Sequence, residues 1–167
     1  METWDAIRSR RNVRGYTGQE IARGDLERIL EAGRRSPSST NSQRWDFVVC
    51  TDRRQLQDLS KVWRSAGHVA VSAATVALVA PRSGGDSVQY DLGQVTMSMM
   101  LAAADLGIGS GHSSVGDREL AGRILGLPDD RVCAWLIALG YPADRPLTPI
   151  RRPNRRPFDQ VVHWGNW

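Results

Sequence analysis

The chain has 167 residues, 41% of them hydrophobic and 24% charged, a balance that suits one soluble globular domain with a sizeable core and excludes a disordered or fibrous chain. No apolar run reaches bilayer length, and the acidic, polar start Met1-Glu2-Thr3-Trp4-Asp5 lacks a secretory h-region, so the expected location is the cytoplasm. The net charge is +4 with Lys61 as the only lysine; nearly all positive charge is therefore guanidinium, which suits bidentate phosphate contacts or a nucleic-acid surface, or merely follows a GC-rich genome.

In chain order, Thr3 to Arg11 reads as a first helix, with Thr3 as cap and Asp5 in the positive first turn. Asp25 to Arg35 is a second, since Leu26, Ile29, Leu30 and Gly33 recur on one face. Pro37 opens a polar stretch that ends it. Trp45 to Thr51 is a short aromatic and β-branched strand, and Asp52 starts a helix that turns Leu56 and Leu59 inward. Thr75 to Ala80 reads as a buried strand closed by Pro81 and Gly84-Gly85.

The longest helix is expected from Val88 to Leu106. Val88, Leu92, Val95, Met99, Ala102, Ala103 and Leu106 form a stripe, and Met97, Met100 and Leu101 make the other face apolar as well. A helix apolar nearly all round should be central and buried. Gly107 to Gly111 is a close-approach turn into a short strand. Asp117 caps a helix running to Leu125, stopped by Gly126 and Pro128. Val132 to Leu139 is the most hydrophobic strand. After Pro142, four prolines interrupt a run of arginines, and such a tail, about residues 143–167, cannot build a core of its own. It should lie extended over the domain or a partner subunit. The element order makes a single α+β domain over residues 1–167, a mixed sheet flanked by helices.

Metal and acid–base chemistry find little support. Cys50 and Cys133 each sit in a hydrophobic stretch, and His68, His112 and His163 are scattered, so no metal site is expected. No dinucleotide fingerprint, P-loop or nucleophile elbow occurs, and no pair of carboxylates converges. An enzyme of this kind needs a cofactor to supply its reactive centre.

Three segments could hold one. Arg10-Arg11-Asn12-Val13-Arg14 puts three guanidiniums within a short span, either as a solvated helix end or as an anion site. Ser36 to Trp45 is dense in small hydroxyls and amides before a buried strand, either an ordinary polar turn or a set of partners for a flat heterocycle. Arg151-Arg152 and Arg155-Arg156 in the tail could hold a dianionic phosphate, or contact nucleic acid.

The succession Arg-Arg-x-Val-Arg-x-Tyr, Ser-Pro-Ser-Ser-x-Asn-x-Gln-x-Trp, Asp91-x-Gly93, Leu106-Gly107-Ile108-Gly109, Leu139-Gly140-Tyr141-Pro142 and Arg-Arg-Pro before His163-Trp164 resembles the FMN-dependent nitroreductase family from about Ile7 to Trp164. The resemblance implies an intertwined homodimer with two FMN sites at the subunit interface. NADH or NADPH would reduce the flavin in a ping-pong cycle, and a nitroaromatic, quinone or other conjugated acceptor would reoxidise it. Arg10, Arg11 and Asn12 match the motif that binds the FMN phosphate and ribityl chain, with Asn12 in place of the usual Ser. Arg14 matches the basic residue at the pyrimidine edge. Pro37, Ser38, Ser39 and Asn41 match the loop laid against the flavin of the other subunit. Ser113 and Ser114 fall where backbone groups face the reactive edge, and Arg155 with Arg156 matches the C-terminal phosphate clamp. No side chain beyond the flavin is assigned a catalytic role.

The chain also departs from the pattern. Arg44 stands where Pro is common before the Trp, Met97-Ser98 replaces Gln-Asn in the long helix, and the connection Pro81 to Ser87 is very short. The short connection implies an open or differently covered pocket. It leaves a flavin-binding protein without catalysis as the alternative, with nucleic-acid binding by the tail as a third.

Overall fold

The structure is a computed structural model that describes all 167 residues. Four strands form one sheet: β1 (Asp46–Cys50), β2 (Ala74–Pro81), β3 (Gly109–Ser114) and β4 (Arg131–Gly140), in the spatial order β1-β2-β4-β3. Every strand pairing is antiparallel, so the sheet is not mixed; the one parallel contact is an isolated bridge between Asn12 and Ser110. Five helices surround it: α1 (Thr3–Ser9), α2 (Arg23–Arg34), α3 (Arg53–Leu59), α4 (Asp86–Asp105) and α5 (Arg118–Leu125).

The central strands are apolar without alternation because both faces are covered. In β4, Ile137 and Leu139 join Val76 and Leu78 of β2 beneath Leu26 and Ile29 of α2 and Leu92, Val95 and Met99 of α4. Leu136 and Ala138 point the other way, to Leu56 and Leu59 of α3, Val69 and Ala121. Each fully buried Leu or Ile contributes about 1.5–3 kcal/mol of transfer free energy. Cys50 and Cys133 lie in the second layer as free thiols, and burial pushes their pKa values up to about 11 and about 12.

Capping sets several helix ends. Asp52 accepts from the Gln55 backbone N–H at 2.9 Å and Asp117 from that of Leu120 at 2.8 Å, as expected from the sequence. Gly107, at φ 72°, ends α4, and the following Ile108 N–H reaches back to the Ala103 carbonyl at 2.8 Å. Thr3 does not cap α1; Glu2 occupies that position without a side-chain bond. The helix also stops at Ser9 instead of Arg11, because Arg10 turns to an extended conformation (φ −61°, ψ 125°).

One expectation is corrected by what the chain leaves uncovered. α4 buries Val88, Leu92, Val95, Met99 and Met100, yet Tyr90 and Met97 on another face are exposed. No element of this chain lies over them, so the helix is not buried all round. The tail touches the domain at its start, where the Ile150 N–H bonds the Arg8 carbonyl at 3.0 Å, and carries only a short 3-10 turn at Phe158–Gln160. Phe158, Val161, Trp164 and Trp167 are exposed along it. No helix is long and apolar enough to cross a membrane.

Candidate active site

Beyond α1 the backbone runs extended and docks on the outer edge of β3. Asn12 bridges Ser110, and the Val13 N–H donates to the Ser110 carbonyl at 2.8 Å. Glycines permit the close approach. A Cβ on Gly111 would lie 2.4 Å from the Val13 carbonyl oxygen, and one on Gly109 would lie 2.8 Å from the Val13 side chain. Tyr16 fastens the far end: its hydroxyl donates to the Val13 carbonyl at 2.8 Å, and its ring occupies the space a side chain on Gly140 would need. Val13 is thereby buried while Asn12 and Arg14 face outward.

Arg155, from the opposite end of the chain, comes near enough to Arg10 for its charge to act on that guanidinium. Partial burial lowers the Arg10 pKa, and the charge of Arg155 lowers it further. Neither guanidinium is paired with a carboxylate, nor is Arg14, although Arg8, Arg11, Arg23, Arg34, Arg35 and Arg82 all are. The Arg155 guanidinium donates only to the adjacent Asn154 carbonyl at 2.7 Å. Two converging cations without an acid fit a dianionic group such as a phosphate.

Their sequence neighbours go elsewhere. Arg11 donates to Asp144 at 2.6 Å and to the Arg145 carbonyl at 2.8 Å, and this bond holds the Asp144 carboxyl below its ordinary range. Arg156 donates to the Gln160 carbonyl at 2.5 Å, within the tail. Asn12 stays beside Arg10, whose guanidinium donates to its Oδ1 at 3.4 Å.

Ser113 and Ser114 end β3, paired with Leu136 and Trp135 of β4. The Ser113 hydroxyl is buried between Ser65, at 3.3 Å, and the Ser114 carbonyl, at 3.1 Å. Pro37, Ser38, Ser39 and Asn41 belong to a separate polar segment laid along α4, and they do not join the arginine cluster within this chain. A cavity of about 620 Å³ lies at the β1 edge, between α2 and the start of β2, and contains none of the expected site residues.

Two histidines lie at β3 near this segment, although their scatter along the sequence gives no hint of it. His68 is buried with Nδ1 3.1 Å from the Ser65 carbonyl and Nε2 3.2 Å from that of Gly111. Its pKa is lowered by burial, partly opposed by these carbonyls, and lowered again by Arg14. The His112 pKa is lowered by burial and by Arg10 and Arg14. It sits edge-on to Trp135 with ring centroids 6.2 Å apart. Alternation along an edge strand beside an arginine-bearing segment is the one sequence signal for His112. For His68 there is none, because its neighbours come together only through the fold.

A family model described as Nitroreductase family matches residues 7–72 and 59–141. A relative from Archaeoglobus fulgidus, provisionally named NADH dehydrogenase/NAD(P)H nitroreductase, is 33% identical over 147 residues, which is 83% of this chain and 84% of the relative. An FMN reductase [NAD(P)H] of Bacillus subtilis is 24% identical over 178 residues, covering 91% of this chain and 70% of that protein. Among solved structures, an FMN-dependent nitroreductase of Clostridium difficile superposes with a TM-score of 0.87 at 21% identity, covering 97% and 98% of the two chains.

Proposed function

This chain belongs to the nitroreductase family, and we propose that it is an FMN-dependent oxidoreductase that passes electrons from NADH or NADPH to a nitroaromatic, quinone or other conjugated acceptor. The observation that carries this reading is the segment Arg10–Arg14 seated on the edge of β3, with Arg10 and Arg14 unpaired with any acid and the charge of Arg155 acting on Arg10. A phosphate there would receive charge-assisted hydrogen bonds from both guanidiniums. The names of the relatives point the same way: NAD(P)H as donor and FMN as the bound or reduced flavin.

Bound FMN would supply the two-electron chemistry, taking hydride from the nicotinamide and passing electrons to the acceptor. The chain's own residues bind and orient it. Arg10 and Arg155 would hold the phosphate, with Asn12, beside Arg10, toward the ribityl chain. Arg14 presents a cation for the pyrimidine edge, where negative charge develops on reduction. Backbone groups of Ser113 and Ser114 would face the reactive edge of the flavin. Arg11, committed to Asp144, secures the start of the tail instead of the phosphate, and Arg156 closes the tail turn. The segment with Pro37, Ser38, Ser39 and Asn41 lies apart from this cluster, as a contribution to the flavin of a second subunit requires. A homodimer is also supported by the exposed Trp4 and Ile7 of α1, Tyr90 and Met97 of α4, and the four apolar side chains of the tail.

The test is the absorbance spectrum of the purified protein with added FMN, before and after anaerobic NADH or NADPH. A flavin band that bleaches supports the reading. A band that persists leaves a flavin-binding protein without this half-reaction, and no flavin uptake at all overturns the proposal.

A further inference from the structure

The segment from Ser36 to Arg44 has a backbone that its residues do not favour. Thr40, Asn41 and Gln43 have φ of 52°, 56° and 48°, and no other non-glycine residue of the chain is left-handed. Asparagine tolerates that region, but a β-branched threonine and a glutamine do not. Such conformations persist where the surroundings over-determine them.

The surroundings here are one face of α4. The Ser36 hydroxyl donates to the Ser98 hydroxyl at 2.9 Å, the Ser39 N–H is shared between both Asp91 carboxylate oxygens at 3.2 Å each, and Arg44 donates to the Ser87 hydroxyl at 2.9 Å. Positions 87, 91 and 98 are one and two helical turns apart and share that face. Two of the three fastenings, at Ser98 and Arg44, use residues where this chain departs from the family pattern. The central one is the costly one. Asp91 is 2% exposed, and the Ser39 N–H is its only protein donor. A buried carboxylate carries a desolvation cost, and its charge strengthens the single bond it makes. Between its fastened ends the segment buries no apolar side chain; Ser39 to Arg44 are exposed. A contact serving only the core would not hold exposed polar groups in a strained shape.

We propose that Asp91 is a positioning residue: it locks the Ser38–Gln43 loop onto α4 in the strained form that presents Ser38, Ser39 and Asn41 to the flavin of the second subunit. The inference rests on the functional reading above and adds to it the part of the chain that shapes the loop.

The full-length protein with Asp91→Ala, Asp91→Asn and the double change Asp91→Ala with Thr40→Gly tests this. Amide hydrogen exchange over Ser39–Gln43 is measured without flavin, with the amides of β4 as the folding control, and FMN affinity is measured by fluorescence titration. Asp91→Ala should speed exchange of the loop amides about tenfold or more while β4 stays protected. It should weaken FMN binding about fivefold or more, because the competent loop becomes a minor population. Asp91→Asn keeps one acceptor oxygen and should restore most of both. Thr40→Gly relaxes the left-handed position and should recover part of the affinity lost in Asp91→Ala. If Asp91→Ala does not fold, Ser87→Ala with Ser98→Ala removes the outer fastenings and should move both readouts the same way. Unchanged loop exchange overturns the inference, and so does faster exchange with unchanged FMN affinity. The two failures are distinct: a wild-type protein that takes up no FMN overturns the functional reading itself, whereas wild-type uptake matched by Asp91→Ala overturns only the role of Asp91.

Discussion

Arg10 and Arg11 are neighbours in the sequence and separate in the fold. Arg10 has no acidic partner and feels the charge of Arg155, and Arg11 is tied to Asp144 and the Arg145 carbonyl. Charge alone makes them equivalent; the direction of each side chain on an extended backbone does not, since successive residues point to opposite sides. Replacing Arg10 or Arg155 by Ala should therefore weaken FMN binding about tenfold or more each, the scale of one charge-assisted hydrogen bond. Arg11→Ala should leave FMN affinity nearly unchanged and loosen the start of the tail. Flavin titration beside thermal unfolding separates the cases: full flavin occupancy in both Arg10→Ala and Arg155→Ala would refute the phosphate assignment.

At the scale of elements, β3 carries the segment that bears Arg10 and Arg14. The run Gly107 to Gly111 reads in the sequence as a close-approach turn, but what approaches is visible only in the fold. It is the Val13 carbonyl, 2.4 Å from where a Gly111 side chain would begin. Backbone cannot yield as a flexible side chain can, so Gly111→Ala should push the Arg10–Arg14 segment off β3. The expected outcome is loss of flavin binding, with the helices retained by circular dichroism and a lowered Tm. Wild-type flavin affinity in Gly111→Ala would show that the segment's seat on β3 does not position the site. Gly33 makes the contrast: its added Cβ would meet the flexible end of Met99, which can move aside.

At the scale of the molecule, this chain alone leaves apolar surface on α1, α4 and the tail. If that surface is the dimer interface, the protein should sediment at twice the 18.5 kDa chain mass, and Tyr90→Asp with Met97→Asp should shift it toward monomer and release flavin. A stable monomer that holds FMN would sink the interface reading. The helices, the strands and their approximate ends were legible in the sequence because each rests on local signals: apolar periodicity, the caps Asp52 and Asp117, and the stops at Gly107 and Gly126. The family was legible too, in the order and spacing of polar motifs. The sequence by itself thus determined which elements form, that the strand from Thr75 to Ala80 is buried, and which arginines are candidates for a phosphate. Only the tertiary structure decided that the sheet is wholly antiparallel, that Arg11 turns to Asp144 while Arg10 does not, that His68 reaches the Gly111 carbonyl of β3, and that Asp91 accepts from the Ser39 N–H. The physical reason is range. Caps and periodicity act within a few residues, whereas these pairings join residues far apart in the chain, and their partners are chosen by how the sheet and helices pack.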